Sequence, residues 1–226
     1  MLAVYPRVVE KSWESPNSTD ALVSAFPSRL ASDVRSVLAV VPDGRLSSAD
    51  PLNVEVWGET VTIPYRIYHD EPNADVVRSL PGIQQVILHC LYSRHCDGRV
   101  RQRHLEQIVW LDEAWVVPFV VQLAGEYVVE ILEAIYRGLP GLGVPDSVQR
   151  GLYGEFIARN PAFFASTERR VVSYWSCYYR WKYPEFGTYP GSSLAEAFRA
   201  AASERAGAPW PRHTPAPLVN TDGQTT

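Results

Sequence analysis

The sequence has little cysteine, almost no lysine and no long uninterrupted apolar run. Three cysteines among 226 residues are an odd number without framework spacing, which is typical of free thiols in a reducing cytosol. Lysine occurs only as Lys11 and Lys182, so 19 of the 21 basic residues are arginine. Because arginine is the default cation of this chain, a single arginine is weak evidence for a phosphate site.

Several signatures of enzymes and membrane proteins are also missing from the sequence. No G-x-G-x-x-G, P-loop or G-x-S-x-G pattern occurs. The most apolar segment, Trp115 to Leu132, is interrupted by Gln122, Glu126 and Glu130, so it predicts a core helix rather than a membrane span. The opening residues have no basic start followed by an apolar run, which predicts no secretory signal. We therefore expect a cytoplasmic protein with no membrane partner and no cofactor.

Aromatic and apolar residues are abundant. The chain has seven Trp, twelve Tyr and seven Phe, and 46% of its residues are hydrophobic, which excludes wholesale disorder and predicts a sizeable core. The formal net charge of −4 argues against a globally basic nucleic-acid binder.

The order of patterns along the chain predicts a mainly helical α+β fold in three parts. Residues 1–27 mix Pro, Ser and Asn and predict an irregular arm. Residues 28–205 predict a single domain, in which a helix capped by Ser28 and a β-hairpin at 53–68 pack on a bundle of five or six helices. Residues 206–226 are rich in proline without apolar periodicity and predict a disordered tail.

The hairpin is the clearest local prediction. Val61 and Ile63 belong to a run that alternates apolar and polar residues, which is typical of a strand with one buried face. Gly58-Glu59 suits a two-residue type II′ turn, with glycine at the first central position. Pro64 lacks a backbone N–H and therefore places the second strand at a sheet edge.

Helical periodicity dominates the rest of the chain. Helices are expected at about residues 73–94, 99–109, 114–137, 146–159, 162–183 and 193–205. The stretch DGRVRQRHLEQIV, followed by WVVPFVVQLAGEYVVEILEAI, resembles the helix pairs of HEAT-type repeats, which implies an antiparallel helix pair. No second copy occurs at a HEAT-like period of about 40 residues, so the sequence does not assign the chain to that family.

A group of histidines and cysteines has the residue types of a zinc site. Its members are His89, Cys90, His95, Cys96 and His104. On one straight helix His89 and Cys96 share a face but lie about 10.5 Å apart along the axis, whereas zinc ligands lie within about 2.0–2.3 Å of the metal. We therefore predict no metal site, and His104, between Val100 and Ile108, is expected to be a core or boundary residue.

Charged residues supply a second set of candidates. Arg99, Arg101 and Arg103 point in different directions on a helix, because each step of two residues turns by about 200°. Glu126 and Glu130 are predicted to share the single polar stripe of the third helix. One interpretation pairs this acidic stripe with the arginine-rich turn, within the chain or across two copies. The alternative is that both are solvated faces.

The segment 174–183 is the most unusual, because it contains six aromatics in ten residues. On a helix they cover far more than the apolar stripe of about 100° that a surface helix needs. A core helix, a protein interface and a ligand pocket all remain open. The interface candidates are Tyr174, Trp175, Tyr178, Tyr179 and Trp181.

Together these patterns favour a cytosolic protein-interaction or scaffold module over an enzyme. A protein partner or self-association through the aromatic segment is expected, and a nucleic acid is the less favoured ligand. The alternative is an enzyme or nucleic-acid-processing domain. Its site residues would be His95, Arg101, His104, Glu126 and Glu130. The sequence names neither a substrate nor a process.

Overall fold

The fold is mainly α with a small β part, as the sequence predicts. The computed structural model describes residues 18–44 and 51–215. Residues 1–17 of the predicted arm and residues 216–226 of the predicted tail lie outside the described residues. Within the described residues there are ten α-helices and one antiparallel hairpin. The helices are α1 Ser18–Val23, α2 Ala31–Leu38, α3 Ala74–Ser79, α4 Gly82–Tyr92, α5 Gly98–Ile108, α6 Val117–Leu123, α7 Val129–Gly138, α8 Val148–Arg159, α9 Pro161–Tyr174 and α10 Pro190–Ala206, and the strands are β1 Leu52–Val56 and β2 Glu59–Ile63.

The start of the domain differs from the prediction at Ser28. This residue opens a 3-10 turn, Ser28–Leu30, that leads into α2, and its side chain caps neither element. Its backbone N–H and hydroxyl instead donate to the carboxylate of Glu59, at 2.8 and 3.1 Å. The predicted N-cap is therefore wrong, because Ser28 joins the helical layer to the hairpin turn.

The hairpin is confirmed, but its turn lies one residue earlier than predicted. Val56 pairs with Glu59, so the central residues are Trp57 and Gly58, at φ of 54° and 79°. Two positive φ values define a type I′ turn, which suits the right-handed twist of the strands. The second strand ends at Ile63 rather than continuing to residue 68.

Two of the long helices predicted from periodicity are each two shorter ones. The segment 73–94 divides at Pro81, which cannot donate a helical hydrogen bond, and Asn73 caps the first part by accepting from the Asp75 N–H at 2.8 Å. The segment 114–137 divides between α6 and α7. The bundle therefore has more and shorter helices than the five or six predicted.

The buried side chains form one continuous core between the hairpin and the helices. Helices α8 and α10 pack closely, because a Cβ on Gly154 would lie only 2.4 Å from the Ala201 carbonyl oxygen. Only glycine lets the two backbones approach to this distance.

The chain beyond α10 returns onto the fold. Gly207, at φ 67°, ends the helix in the left-handed conformation. The Trp210 N–H then donates to the Ser203 hydroxyl at 2.9 Å, and Thr214 is buried. Residues 207–215 of the predicted tail 206–226 are thus held by contacts, and residues 216–226 lie outside the described part.

Candidate functional site

The aromatic-rich segment 174–183 is not one regular helix. α9 ends at Tyr174, and the chain continues as a turn of π-helix, Trp175–Tyr179. Such turns admit an extra residue and change which side chains face outward. Tyr178 is 58% exposed and Trp181 is 81% exposed, so part of the segment is surface.

Other rings of this segment face inward and hold it in place. The Trp175 indole N–H donates to the Tyr183 carbonyl at 2.8 Å, and its ring packs edge-on against Phe186. The Tyr179 hydroxyl donates to the carbonyl of Tyr127 at 2.6 Å. Both residues were predicted as interface candidates, and the structure places them half-buried as anchors of the segment.

The exposed rings of this segment are joined by the exposed Tyr127 from another element and by the half-buried Tyr174. We call Tyr127, Tyr174, Tyr178 and Trp181 the aromatic surface. The first three have ring centroids 5.9 to 6.4 Å apart, within the range of aromatic pairs. The Trp181 indole N–H donates to the Tyr178 carbonyl at 2.9 Å. Sequence reasoning missed Tyr127, because it placed this residue inside a helix.

A buried cluster of charge adjoins the aromatic surface. Arg66 Nη2 lies 2.8 Å from both carboxylate oxygens of Glu126. Arg101 Nη2 lies 3.2 Å from Oε2, and Arg94 Nη2 lies 3.6 Å from Oε1. A fourth guanidinium, that of Arg170 on α9, acts electrostatically on Arg94. We call these four arginines, arranged around one carboxylate, the arginine cluster.

The same arginines support the backbone around them. Arg94 Nη2 and Arg66 Nη1 donate to the Tyr65 carbonyl, at 2.9 and 2.8 Å. Arg101 Nη1 donates to the carbonyls of His95 and Cys96, at 2.8 and 2.9 Å. The cluster therefore fixes the loop after β2 and the turn before α5.

The break between α6 and α7 explains how a glutamate becomes buried. Glu126 lies in this break and is only 3% exposed. Beside it, a Cβ on Gly125 would lie 3.0 Å from the Arg170 Nε, so glycine admits this guanidinium against the backbone. Glu130, on α7, is exposed. The prediction of one polar stripe is therefore wrong, because the helix that would carry it is interrupted.

Positive charge is crowded around Arg94. Burial and the guanidinium groups of Arg66, Arg101 and Arg170 together lower its pKa to about 9, against the attraction of Glu126. The side chain still carries its charge at neutral pH, in surroundings with more cations than anions.

A chain of two histidines forms a separate network. His104 Nε2 donates to Glu71 at 2.9 Å, and Nδ1 atoms of His104 and His89 lie 2.8 Å apart. With His104 neutral, His89 is the donor to His104. Burial lowers the pKa of both histidines, that of His89 to about 4, and for His89 the charge of His104 adds to the effect. Tyr92 stacks on His104 with centroids 5.1 Å apart.

The remaining predicted residues are divided among different surroundings. Arg99 and Glu130 are exposed and line a shallow depression. Arg103 pairs with Glu71 at 2.6 Å, and the His95 ring accepts from the Asp97 N–H at 3.0 Å. Arg101 and Glu126 meet, but His104 belongs to the histidine network. No group of three or more His, Cys, Asp or Glu in residues 18–44 and 51–215 is arranged to hold a metal.

A cleft of about 730 Å³ lies between the end of α7 and the start of α10, and none of the predicted site residues lines it. Its walls include Leu139, Leu142 and Phe186. Among the described helices, none combines the length and apolarity required to cross a bilayer. No family model, curated protein or solved structure matches the chain.

Proposed function

We propose that this chain is a protein-interaction module that binds its partner through the aromatic surface. The observation that carries the proposal is the exposure of Tyr178 and Trp181 at 58% and 81%. Exposed aromatic rings clustered on a folded surface are typical of binding sites, and Trp, Tyr and Arg are the residues most enriched at interface hot spots.

Contacts with neighbouring residues hold the backbone that carries these rings. Burial, together with the neighbouring side chain of Tyr65, raises the pKa of Tyr174 to about 12. Tyr179 fixes the turn to the backbone of Tyr127. Rings that are already ordered lose less conformational entropy on binding, so more of the contact energy becomes affinity.

The charges around the aromatic surface indicate the chemistry of the partner. Residues 169–182 contain four cations, Arg169, Arg170, Arg180 and Lys182, while Glu130 and Glu133 of α7 act electrostatically on Lys182. The cations of this segment outnumber these two acids and favour a protein partner with acidic side chains. A nucleic acid fits less well, because the whole chain carries a net charge of −4 that repels a polyphosphate backbone. The three free cysteines suit a partner in the reducing cytosol.

The enzymatic alternative finds no assembled site among its predicted residues. Arg101 and Glu126 form an ion pair, whereas His104 pairs with Glu71 and Glu130 is exposed elsewhere. A catalytic constellation needs its groups within hydrogen-bond reach of one reacting atom. Recognition is therefore the function that this geometry favours.

The test is capture of partners by the tagged chain from its own cytosol, with nuclease added throughout. The variants are Tyr178→Ala and Trp181→Ala, and the matched control is Trp110→Ala, since Trp110 is also 62% exposed but lies at the end of α5. We expect the wild type and the control to retain the same proteins, and both surface variants to lose them about tenfold or more.

The oligomeric state, measured by light scattering at several concentrations, separates a second copy from a foreign partner. Association that disappears in Trp181→Ala would identify a second copy of the chain as the protein partner. The proposal fails if both surface variants keep all captured proteins, or if nuclease removes the binding.

A further inference from the structure

The arginine cluster contains more positive charge than its own residues neutralise. Arg66, Arg94 and Arg101 surround the single carboxylate of Glu126, which leaves a net charge of about +2 before Arg170 is counted. The side chains of Arg94 and Arg101 are 0% and 1% exposed, so water does little to screen them. A buried charge without a counter-charge costs several kcal/mol in a folded protein.

Several N–H groups of the cluster have no acceptor. Arg94 Nη1, Arg101 Nε and Arg170 Nε are buried and have no hydrogen-bond partner. Both Glu126 oxygens are already engaged by guanidinium groups. The cluster therefore holds unpaired donors and surplus positive charge that the single carboxylate of Glu126 does not balance.

Two of the arginines connect the cluster to the surface. The Arg66 side chain is 12% exposed, and Arg170 is half-buried. Their Cζ atoms lie 4.4 and 6.0 Å from the ring centroid of Tyr65, whose side chain neighbours Tyr174 of the aromatic surface. An anion that meets Arg66 and Arg170 would thus lie beside the rings that we propose bind the partner.

We infer that the arginine cluster binds a phosphate group, presented by a phosphorylated side chain of the protein partner. A phosphate carries close to two negative charges at neutral pH and three acceptor oxygens, which matches the residual charge and the free donors better than a single carboxylate does. The phosphate site is inferred from the cluster itself, whereas its assignment to a partner protein rests on the proposed function.

Inorganic phosphate and phenyl phosphate are the probes, added to the full chain and measured by calorimetric titration at constant ionic strength. Phenyl phosphate represents a phosphorylated aromatic side chain. The test variant is Arg170→Gln, and the matched control is Arg169→Gln, because Arg169 is the exposed neighbour of Arg170 on the same helix. Arg66→Gln is a second test variant, whose fold is checked by its thermal unfolding.

We expect saturable binding of phosphate that is about tenfold weaker in Arg170→Gln and unchanged in Arg169→Gln, as loss of one charge-assisted contact predicts. Tighter binding of phenyl phosphate than of phosphate would add the contribution of the rings. Absence of saturable binding, or equal loss in both arginine variants, would overturn the inference.

The two proposals fail separately in these experiments. Phosphate binding to the isolated chain needs no partner, so Tyr178→Ala and Trp181→Ala should leave it unchanged even where they abolish partner capture. If phosphate does not bind but the aromatic variants lose the partner, the interaction module stands and the phosphate site does not. Binding of phosphate without partner capture would give the reverse result.

Discussion

Two clusters of charge in this molecule, one buried and one partly exposed, are built from acids and arginines in different proportions. In the second one, Glu168 pairs with Arg199, whose Nη1 also lies 2.7 Å from Glu196. Arg212 pairs with Glu196 as well, and Thr214 accepts from Arg199 Nη2 at 2.9 Å. We call these five residues the C-terminal clasp. It contains two acids and two arginines, whereas the arginine cluster contains one acid and four arginines.

Charge balance, rather than unpaired donors, separates the two clusters. The clasp also has two guanidinium nitrogens without a hydrogen-bond acceptor, Arg199 Nε and Nη1, although Nη1 is ion-paired with Glu196. Unpaired donors alone therefore do not identify a ligand site. The clasp is neutral and fastens the chain after α10 to α9, since the His213 N–H donates to Glu168 at 3.2 Å. A neutral cluster of this kind is complete as a structural element, and a cluster with surplus charge is not.

The largest effect is expected from Glu126→Gln. This substitution removes the only carboxylate of the arginine cluster and leaves Arg66, Arg94 and Arg101 facing one another. We expect a loss of about 4 kcal/mol in the free energy of unfolding, measured by urea denaturation in a phosphate-free buffer with chloride as the anion. Phosphate should restore part of this loss. A stability unchanged within error would show that the carboxylate does not hold the cluster together.

Glu168→Gln should have a somewhat smaller effect, because Arg199 retains Glu196. We expect a loss of about 3 kcal/mol in the same urea titration. The comparison predicts that phosphate stabilises this variant no more than it stabilises the wild type, since the clasp has no surplus charge. A rescue by phosphate equal to that of Glu126→Gln would remove the distinction between the two clusters.

The signals that predicted the hairpin and the approximate bounds of α5 and α8 act over a few residues. The side-chain oxygens of Asp97 and Ser147 cap these two helices, and neither cap was predicted. Gly58 lies in the turn as predicted, but as its second central residue rather than its first. The first is Trp57, which also adopts a positive φ. In that conformation Trp57 lies beneath the Arg29 guanidinium, a contact 28 positions distant that no local rule contains.

The candidate site depended on contacts between distant segments. Periodicity favoured a continuous helix through Glu126, although Gly125 directly before it is a residue that weakens a helix. At the break, arginines from three other segments surround the Glu126 carboxylate, and these contacts are not visible in the sequence. Tyr174, Tyr178 and Trp181 were predictable from composition, but Tyr127 joins them only through the fold. Charge surplus is likewise a property of the assembled cluster and not of any segment.

Acidification should add positive charge to the histidine network. Both of its imidazole rings are neutral near pH 7, because their pKa values are lowered. The pKa of His89 is lowered from 6.5 to about 4, so the unfolded chain binds its proton first. Stability contributed by this network is therefore present above about pH 6.5 and lost as pH falls towards 4. Because His89 is partly exposed, we expect a loss of only about 1–2 kcal/mol over that window.

The check on the histidine network is the urea midpoint of the wild type and of His89→Gln at a series of pH values. The variant cannot take up the proton, so its stability should change less between pH 6.5 and 4. Parallel curves for the two proteins would place the acid sensitivity elsewhere. Of the two networks, only the arginine cluster would then lose stability through uncompensated charge.

The smallest effect is expected at the rim of the C-terminal clasp. Thr214→Ala removes one acceptor from Arg199 but leaves both carboxylates in place, so the clasp stays neutral. We expect a loss of about 1 kcal/mol, the usual contribution of one hydrogen bond, and almost none for the exposed control Thr188→Ala. Thermal unfolding of the two variants measures the difference. A loss as large as that of Glu168→Gln would mean that the return of residues 207–215, rather than the neutral ion pairs, is what stabilises this end of the domain.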